Sequence, residues 1–198
     1  MLKVGLTGGI GSGKSTASSI LEEFGAYIFD ADKEARQILS NNVVVQRELI
    51  AEFGTDILNG EGKIDRKKLA RISFQDEENQ SRLNAVMHPH IFNEIDSHFT
   101  KVSSMEDKYK LFVLDGALIY ESGADTHMDY VVVVTSKIAN RLARVLERGN
   151  MSREDFFKRK DLQWSDDEKT HLADFVIKND STKEDLKNSI LNVMSQVI

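Results

Sequence analysis

The stretch Gly8-Gly9-Ile10-Gly11-Ser12-Gly13-Lys14-Ser15 decides the fold class of this protein. It fits the pattern G-x-x-x-x-G-K-[ST] at every fixed position. Alternating apolar residues before it predict a strand, and apolar residues at helical spacing over 14–24 predict a helix after it. Glycines allow positive φ angles, so successive backbone N–H groups can converge on phosphate oxygens at the positive end of that helix. The pattern predicts a phosphate-binding loop (P-loop); the alternative is a glycine-rich turn without a ligand.

The polar residues at the end of this loop indicate a nucleoside triphosphate as the ligand. We expect Lys14 to reach the β and γ phosphates, Ser15 to place its hydroxyl on a magnesium ion, and Thr16 to meet the α phosphate. A P-loop by itself does not separate a kinase from a GTPase switch, a motor or a nucleotide-gated regulator. The acceptor side of the site must therefore come from other residues.

Predicted strands and helices alternate along the rest of the chain. The β-branched and aromatic runs predict strands at 26–29, 110–114, 130–135 and 175–177. Helices are predicted at 136–147 and from about 182 to near the C-terminus, and two capping-box patterns, Ser152 with Asp155 and Ser165 with Glu168, predict helices between them. Because parallel neighbours require crossover connections, this order predicts a three-layer α/β P-loop NTPase fold with a mostly parallel sheet.

The chain is long enough for one compact domain with inserted parts. Residues 33–103 have a mainly helical pattern, broken at Asn41-Asn42, at 59–62 and before the only proline, Pro89. We interpret this segment as a helical acceptor-binding insert. The nucleotide-binding core is expected at 1–32, 108–138 and 172–198, with a helical lid at about 139–165.

Composition narrows the range of partners and compartments. Acidic residues outnumber basic ones by 32 to 26, giving a net charge of −6, so the chain lacks the broad positive surface that binds nucleic acid. There is no cysteine, and the glycines from Gly8 onward interrupt the only apolar stretch at the N-terminus. We expect a protein of the cytoplasm that contacts neither nucleic acid nor membrane, as a monomer or a small homo-oligomer.

The acceptor side begins with Asp32, at the end of the second predicted strand. A carboxylate there can accept a hydroxyl proton and orient the oxygen for in-line attack on a γ phosphate, so Asp32 is our candidate base. The alternative is that Asp30 or Asp32 caps a helix that begins near Lys33. Arg36 follows one helical turn later and could bind a substrate phosphate or carboxylate, or form a simple surface ion pair.

Asp115 follows the apolar strand at 110–114. An acid in this position has the form of a Walker B element, whose carboxylate orients magnesium or its waters. Many strands end in Asp, so the pattern carries weight only because a P-loop is already present. Asp115 and Ser15 are thus the expected magnesium-side residues.

A series of arginines follows the strand at 130–135. Arg141, Arg144 and Arg148 recur at spacings of three and four residues and therefore form one stripe on the predicted helix. Gly149 and Asn150 then break that helix, and further arginines follow at Arg153 and Arg159. Small kinases need cations that close over the phosphoryl group and exclude water, so we expect a lid here. The alternative is a solvated face balanced by neighbouring acids.

His88-Pro89-His90 and Trp164 carry weaker signals. The two histidines could suggest metal ligands, but a helix-start cap or a substrate contact agrees better with the absence of cysteine and of an H-E-x-x-H pattern. Trp164, like the phenylalanines and methionines at helical spacing, is expected in the core rather than on a base-stacking surface.

Taken together, these residues resemble the dephospho-CoA kinase family along almost the whole chain. Residues 5–16 are very close to the family's opening, and Asp30-Ala31-Asp32 with Arg36 resembles its acceptor-side motif. His88-Pro89 resembles its His-Pro step, and 115–123 resembles the family's Asp-x-Pro-Leu-Leu-Phe-Glu-x-Gly. The lid and C-terminal signature of the family are similar to Arg144, Arg148, Arg159, Gln163, Ala173-Asp174 and Asn179.

The resemblance implies transfer of the ATP γ-phosphoryl group to the 3′-hydroxyl of dephospho-CoA, giving coenzyme A. It implies that Gly11, Ser12, Gly13, Lys14, Ser15 and Thr16 bind ATP, that Asp32 is the base, that Arg144 and Arg148 are catalytic lid contacts, and that Asn179 lies near the adenine. Arg36 and His88 fall among its substrate-side positions. The chain departs from the pattern at Ala117, where the family has proline; this change removes a fixed φ without removing a catalytic group.

Two rival functions stay open at this point. Another small-molecule kinase, for a nucleoside or a nucleoside monophosphate, would share the P-loop and the lid but hold a different acceptor. A nucleotide-binding regulator would bind ATP without turnover that depends on an acceptor. Asp32 and the arginines argue against the regulator.

Overall fold

A computed structural model describes residues 1–105, 108–149 and 151–197. Five strands form one sheet in the order β2-β3-β1-β4-β5, and all four recorded pairings are parallel. The predicted α/β fold with a mostly parallel sheet is confirmed. The strands are β1 (Leu2–Thr7), β2 (Ala26–Asp30), β3 (Leu111–Asp115), β4 (Tyr130–Thr135) and β5 (Phe175–Lys178).

Helices occupy the connections between these strands. They are α1 (Lys14–Glu23), α2 (Ala31–Asn41), α3 (Val43–Phe53), α4 (Arg66–Ser73), α5 (Glu77–Ser103), α6 (Ile138–Glu147), α7 (Arg153–Asp161), α8 (Asp166–Leu172) and α9 (Lys183–Val197). Two short 3₁₀ turns, Thr55–Ile57 and Ala124–His127, also lie within the described ranges. Among the described residues, no helix is both long enough and apolar enough to span a membrane.

One face of the sheet forms an apolar core with α1 and α9. Val4 and Leu6 of β1 point to this face, and Val132 and Val134 of β4 lie in the same buried cluster. Successive side chains of a strand alternate between the two faces, so these apolar residues at every second position place the core on one side.

Gly5 lies on the opposite face of β1. A Cβ at Gly5 would come within 3.1 Å of Ile119 and 3.2 Å of Met128, so the segment after β3 packs closely on the sheet there. Phe112 of β3 lies on this side too, in edge contact with Phe99 of α5 at 5.4 Å between ring centroids. The sheet is therefore covered on both faces, as a parallel sheet requires.

The chain divides into two compact units. The first comprises 1–30 with 99–198, and the second comprises 31–98. The second unit has its own apolar cluster, which includes Val45, Leu49, Ile57 and Leu69. This unit covers nearly the same residues as the predicted insert at 33–103, and its role in acceptor binding remains a prediction.

Pro89 corrects one expectation about the second unit. The predicted break before Pro89 is wrong, because α5 continues through it from Glu77 to Ser103. Buried residues on both sides of the proline, Met87 and Ile95, give this helix an apolar face that outweighs the lost backbone hydrogen bond. The helix-start role suggested for His88 and His90 is wrong for the same reason.

Local signals at the helix ends were more reliable. Ser165 and Glu168 form the predicted capping box at α8, and Ser152 Oγ accepts the backbone N–H of Asp155 at α7.

Two further expectations were wrong. α2 begins at Ala31 instead of near Lys33. Trp164 is 42% exposed instead of buried in the core.

Candidate active site

Strand order brings the P-loop and Asp115 to the same edge of the sheet. β1 and β3 are neighbours, with Leu6 opposite Asp115 in register. The connection from β1 leads toward β2, whereas that from β3 crosses to β4 on the other side of β1. Ligands of open parallel sheets bind at the carboxyl ends of strands where the connections diverge in this way.

The glycines of the P-loop allow a close approach of backbone and side chains. Gly13 precedes α1 with φ 104°, and no side chain in the described part of the chain caps that helix. At Gly11, with φ 78°, a Cβ would come within 2.6 Å of the Arg141 carbonyl oxygen. Ser12 Oγ is buried without a hydrogen-bond partner among the described residues. The backbone N–H groups at this helix N-terminus and the buried Ser12 hydroxyl could both donate hydrogen bonds to a bound phosphate group.

Asp115 connects to α1 through two side chains. Lys14 Nζ forms an ion pair with Asp115 Oδ1, and Ser18 Oγ donates a hydrogen bond to Asp115 Oδ2. Asp115 and Ser18 are buried, and Lys14 is half-buried. The sequence-predicted lysine and Walker B acid are thus in direct contact.

Arg144 and Asn179 both bind the backbone of the P-loop. Arg144 Nη1 lies 3.2 Å from the Ser12 carbonyl oxygen and 3.3 Å from that of Gly11, while Nη2 donates to the Asn179 carbonyl oxygen at 2.7 Å. Asn179 Nδ2 donates to the Ser12 oxygen at 2.8 Å. Two predicted site residues, 35 positions apart, therefore support the same loop.

Arg141 contacts the loop from one turn earlier on α6. Its Nε donates to the Ile10 carbonyl oxygen at 2.8 Å, and its Nη1 forms an ion pair with Asp166 Oδ2 at 2.7 Å. On the other side, Gln163 Oε1 accepts the Ile10 N–H at 3.3 Å. The side chain of Arg141 is only 4% exposed, so a buried arginine supports the P-loop from outside.

The arginine stripe is divided by the structure. Arg141 and Arg144 contact the P-loop, whereas Arg148 follows the end of α6 and is exposed, as is Arg159 on α7. Arg144 is thus tied to backbone carbonyl oxygens in this conformation. The lid role of Arg144 and Arg148 remains a prediction, and Asn150, one of the two predicted helix breakers, lies outside the described residues.

Three acceptor-side residues lie in the second unit. Asp32 and Arg36 are exposed on α2, with Asp32 in the first turn, where a negative charge is favourable. Of the two residues in the capping alternative, Asp32 lies inside α2, whereas Asp30 directly precedes its first residue, Ala31. His88 lies in the middle of α5 against Phe92, at 6.2 Å between ring centroids. Burial lowers the pKa of His88, so it is neutral near neutral pH.

Oxygen atoms suited to magnesium are present on the P-loop side. Among the described residues no cluster of three or more His, Cys, Asp or Glu side chains could hold a metal by itself. Magnesium, however, is typically bound through one or two protein oxygens together with substrate phosphates. The Asp115 carboxylate and the Ser15 hydroxyl on α1 fit that mode.

Several residues of the site were not predicted from the sequence as site residues. Ser18 could have been predicted from its spacing, because it lies four residues after Lys14 and residues four apart share a helix face. Arg141 was seen as part of the stripe but not as a P-loop contact. Asp166 carries no motif, because its pairing with Arg141 depends on how two helices pack.

Comparisons with known proteins agree on one family. The dephospho-CoA kinase family model matches residues 2–185. A dephospho-CoA kinase of Corynebacterium glutamicum is 37% identical over 197 residues, 100% of both chains. One from Fusobacterium nucleatum is 42% identical over 183 residues, 92% of both chains.

A solved structure agrees with these relatives. The dephospho-CoA kinase from Campylobacter jejuni superposes with a TM-score of 0.67 and is 30% identical, covering 98% of this chain and 96% of that one. The family model and the relatives all cover more than nine-tenths of the chain, so the likeness is not confined to the P-loop. This chain belongs to the dephospho-CoA kinase family.

Proposed function

We propose that this protein transfers the γ-phosphoryl group of ATP to the 3′-hydroxyl of dephospho-CoA, forming coenzyme A. The observation that carries the proposal is the contact between Lys14 of the P-loop and Asp115 at the end of the neighbouring strand, in a chain of this family. Phosphoryl transfer depends on positioning and on stabilising charge, and this edge of the sheet supplies both a cation and an acid.

The P-loop binds the triphosphate. Backbone N–H groups over residues 11–16 surround the phosphates, and Lys14 neutralises charge on the β and γ groups as it exchanges its partner Asp115 for phosphate oxygens. Ser12 contributes a buried hydroxyl, and Thr16 contacts the α phosphate. The likeness to the family supports a place for Asn179 near the adenine of ATP, and its carbonyl and amide groups connect Arg144 with the loop.

Ser15 and Asp115 would hold magnesium, directly or through its waters. The ion would supply positive charge that stabilises the transferring phosphoryl group. Asp115 is kept in place for this by the Ser18 hydroxyl, which binds one carboxylate oxygen.

Asp32 acts as the base. Its carboxylate accepts the proton of the acceptor hydroxyl and orients that oxygen toward the γ phosphorus. Arg36, one turn later on α2, and His88 on α5 contribute to acceptor binding in the unit that comprises 31–98. The neutral state of His88 suits hydrogen bonding rather than charge neutralisation.

Arg144 and Arg148 supply positive charge near the transferring group. Arg148 is exposed at the end of α6, and Arg144 already lies at the P-loop. Closure of the segment at 139–165 excludes water, which would otherwise compete with the sugar hydroxyl as the acceptor.

We also propose a cytoplasmic protein that is a monomer or a small homo-oligomer and has no nucleic-acid partner.

An acceptor screen tests this function. Release of ADP from ATP is measured with dephospho-CoA, with adenosine and with AMP as acceptors, and with no acceptor. We expect fast release with dephospho-CoA and the appearance of coenzyme A by mass spectrometry. Preference for adenosine or AMP would identify a different kinase, and ATP binding without stimulation by any acceptor would identify a regulator.

The substitution Asp32→Asn tests the base. We expect kcat to fall by about 10²- to 10⁴-fold, the usual contribution of a general base, with ATP affinity nearly unchanged. Glu34→Gln, in the same turn of α2, is the matched control and should retain turnover. Unaltered turnover in Asp32→Asn would remove Asp32 as the base.

A further inference from the structure

Lys169 is a buried cation outside the residues discussed so far. It lies on α8 and has no exposed surface. Its Nζ lies 2.7 Å from Glu121 Oε1 and donates to the Ala117 carbonyl oxygen at 2.7 Å. Burial lowers the pKa of Lys169, and the neighbouring Glu121 opposes that effect.

Stability alone does not account for this ion pair. A buried ion pair is often no more stable than two apolar side chains of the same volume, because both charges lose their hydration. In addition, Glu121 Oε2 is buried without a hydrogen-bond partner among the described residues. Burying the pair therefore costs free energy. The chain segments that Lys169 and Glu121 contact indicate a role other than stability.

On one side, the pair contacts the segment that follows Asp115. Ala117, two residues after Asp115, accepts hydrogen bonds from Lys169 Nζ and, at 3.3 Å, from the hydroxyl of Thr7. Thr7 is the last residue of β1, directly before the P-loop. Lys169 thus fixes the backbone between the Walker B acid and Glu121 against the end of the P-loop strand.

On the other side, the pair contacts the end of the arginine-bearing segment. Glu121 Oε1 accepts the backbone N–H of Trp164 at 2.9 Å, and the Trp164 ring stacks on Tyr120 at 6.1 Å with an angle of 2° between the planes. The preceding residue, Gln163, accepts the N–H of Ile10 in the P-loop. Glu121 Oε1 therefore binds both the Lys169 ammonium group and the backbone N–H of Trp164, at the end of the proposed lid segment.

We propose that Lys169 is a positioning residue for phosphoryl transfer, acting through Glu121 and Ala117 to hold the segment after Asp115 and the end of the lid segment in register with the P-loop. The inference rests on the proposed function, because it assigns this role to the reaction of that same site.

The test removes the charges without leaving either one unpaired. The double variant Lys169→Met/Glu121→Leu replaces both side chains by apolar ones of similar size, which should keep the thermal midpoint near that of the wild type. The Ala117 carbonyl oxygen then loses the Lys169 donor, and the Trp164 N–H loses its acceptor. We expect kcat to fall by about 10- to 100-fold, as for other groups that orient a site, with KM for ATP changed by less than about threefold.

Each variant is assayed well below its own thermal midpoint, so that loss of activity does not reflect unfolding. Wild-type kcat in the folded double variant would overturn the proposal. If the double variant does not fold, Lys169→Met carries the test, because it removes the donor to Ala117 and a protonated Glu121 can still accept the Trp164 N–H. A lower kcat in folded Lys169→Met supports the proposal, and an unchanged kcat overturns it.

A second measurement keeps this test separate from that of the proposed function. Trp164 is the only tryptophan of the chain and lines a cavity of about 510 Å³ together with Arg141 and Gln163. We expect ATP to change its emission in the wild type, and the change to be reduced at least about threefold in the double variant. If the wild type shows no turnover with dephospho-CoA, the proposed function fails, and the emission change alone decides the role of Lys169.

Discussion

At the residue scale, the site depends on side chains that bind backbone atoms as much as on those aimed at a ligand. Arg144 is the clearest case, because its planar guanidinium reaches the carbonyl oxygens of Ser12 and Asn179 at the same time. A lysine has a single ammonium group on a flexible chain and cannot reproduce two such directed contacts. The sequence predicted Arg144 as a site residue but not this supporting contact.

The substitution Arg144→Lys should therefore weaken both the fold and the site. We expect a loss of about 1.5–3 kcal/mol in the free energy of unfolding, the usual contribution of a hydrogen bond from a charged group, together with weaker ATP binding. Urea denaturation and nucleotide titration measure the two effects. Arg148→Lys, at an exposed position, should change stability by less than about 0.5 kcal/mol; equal losses in both variants would contradict this account.

Asp180 gives a prediction about pH. Its Oδ1 accepts the Lys137 N–H at 2.7 Å, the Ser136 hydroxyl at 2.8 Å and the Asn140 amide at 3.1 Å. These hydrogen bonds, that of the Lys137 backbone first, lower the pKa of Asp180 below its ordinary value of 3.8. Since the folded-state pKa is depressed, the stabilisation is present above the unfolded-state pKa and is lost as pH falls through the folded one.

Comparison of the wild type with Asp180→Asn tests whether the stabilisation by Asp180 is lost as the pH falls. We expect the wild type to have the higher thermal midpoint near neutral pH, and the difference to shrink as the pH falls below the ordinary carboxyl pKa of 3.8 and through the lower folded-state pKa. Thermal unfolding followed by circular dichroism over this pH range is the measurement. A difference that stays constant, or one that grows in acid, would show that the carboxylate charge has no part in the start of α6.

At the scale of secondary-structure elements, α5 shows how packing overrides a local signal. Pro89 lacks the N–H that would bind the carbonyl oxygen of Ala85, and its ring crowds that carbonyl group. The helix continues nonetheless, because Met87 and Ile95 are buried on either side. The proline therefore makes α5 less stable than its packing alone would allow.

We expect Pro89→Ala to stabilise the protein. Restoring the backbone donor in an exposed helix position should raise the free energy of unfolding by about 1–3 kcal/mol, as measured by urea denaturation. Asn93→Ala, at another exposed position four residues later on the same helix, is the matched control and should change stability by less than about 0.7 kcal/mol. A destabilised Pro89→Ala would mean that the ring itself is needed, either for packing or at the acceptor site.

At the scale of the whole molecule, the two compact units have separate apolar clusters. Proteins open locally in cooperative units, and a unit with its own core can lose stability without the rest of the chain. Leu49 has no exposed surface and belongs to the cluster of the unit that comprises 31–98.

Leu49→Ala should accordingly destabilise one unit selectively. Truncation of a buried leucine typically costs about 2–5 kcal/mol. We expect faster amide hydrogen exchange in α3 and α4, with exchange in β1 and β3 nearly unchanged. Equal acceleration in all four elements would show that the two units unfold together.

The sequence by itself determined the order of strands and helices, the P-loop, and the acid at the end of β3. These follow from local patterns: periodicity, glycines in a tight turn, and the residue types that phosphates and magnesium require. The tertiary structure decided the rest. Arg141 meets Asp166, and Lys169 meets Glu121, only because distant segments of the chain pack together in the folded protein, and such residues carry no periodic signal of that contact. The continuous α5 was likewise decided by burial, since the apolar face of a long helix can outweigh the single hydrogen bond that a proline removes.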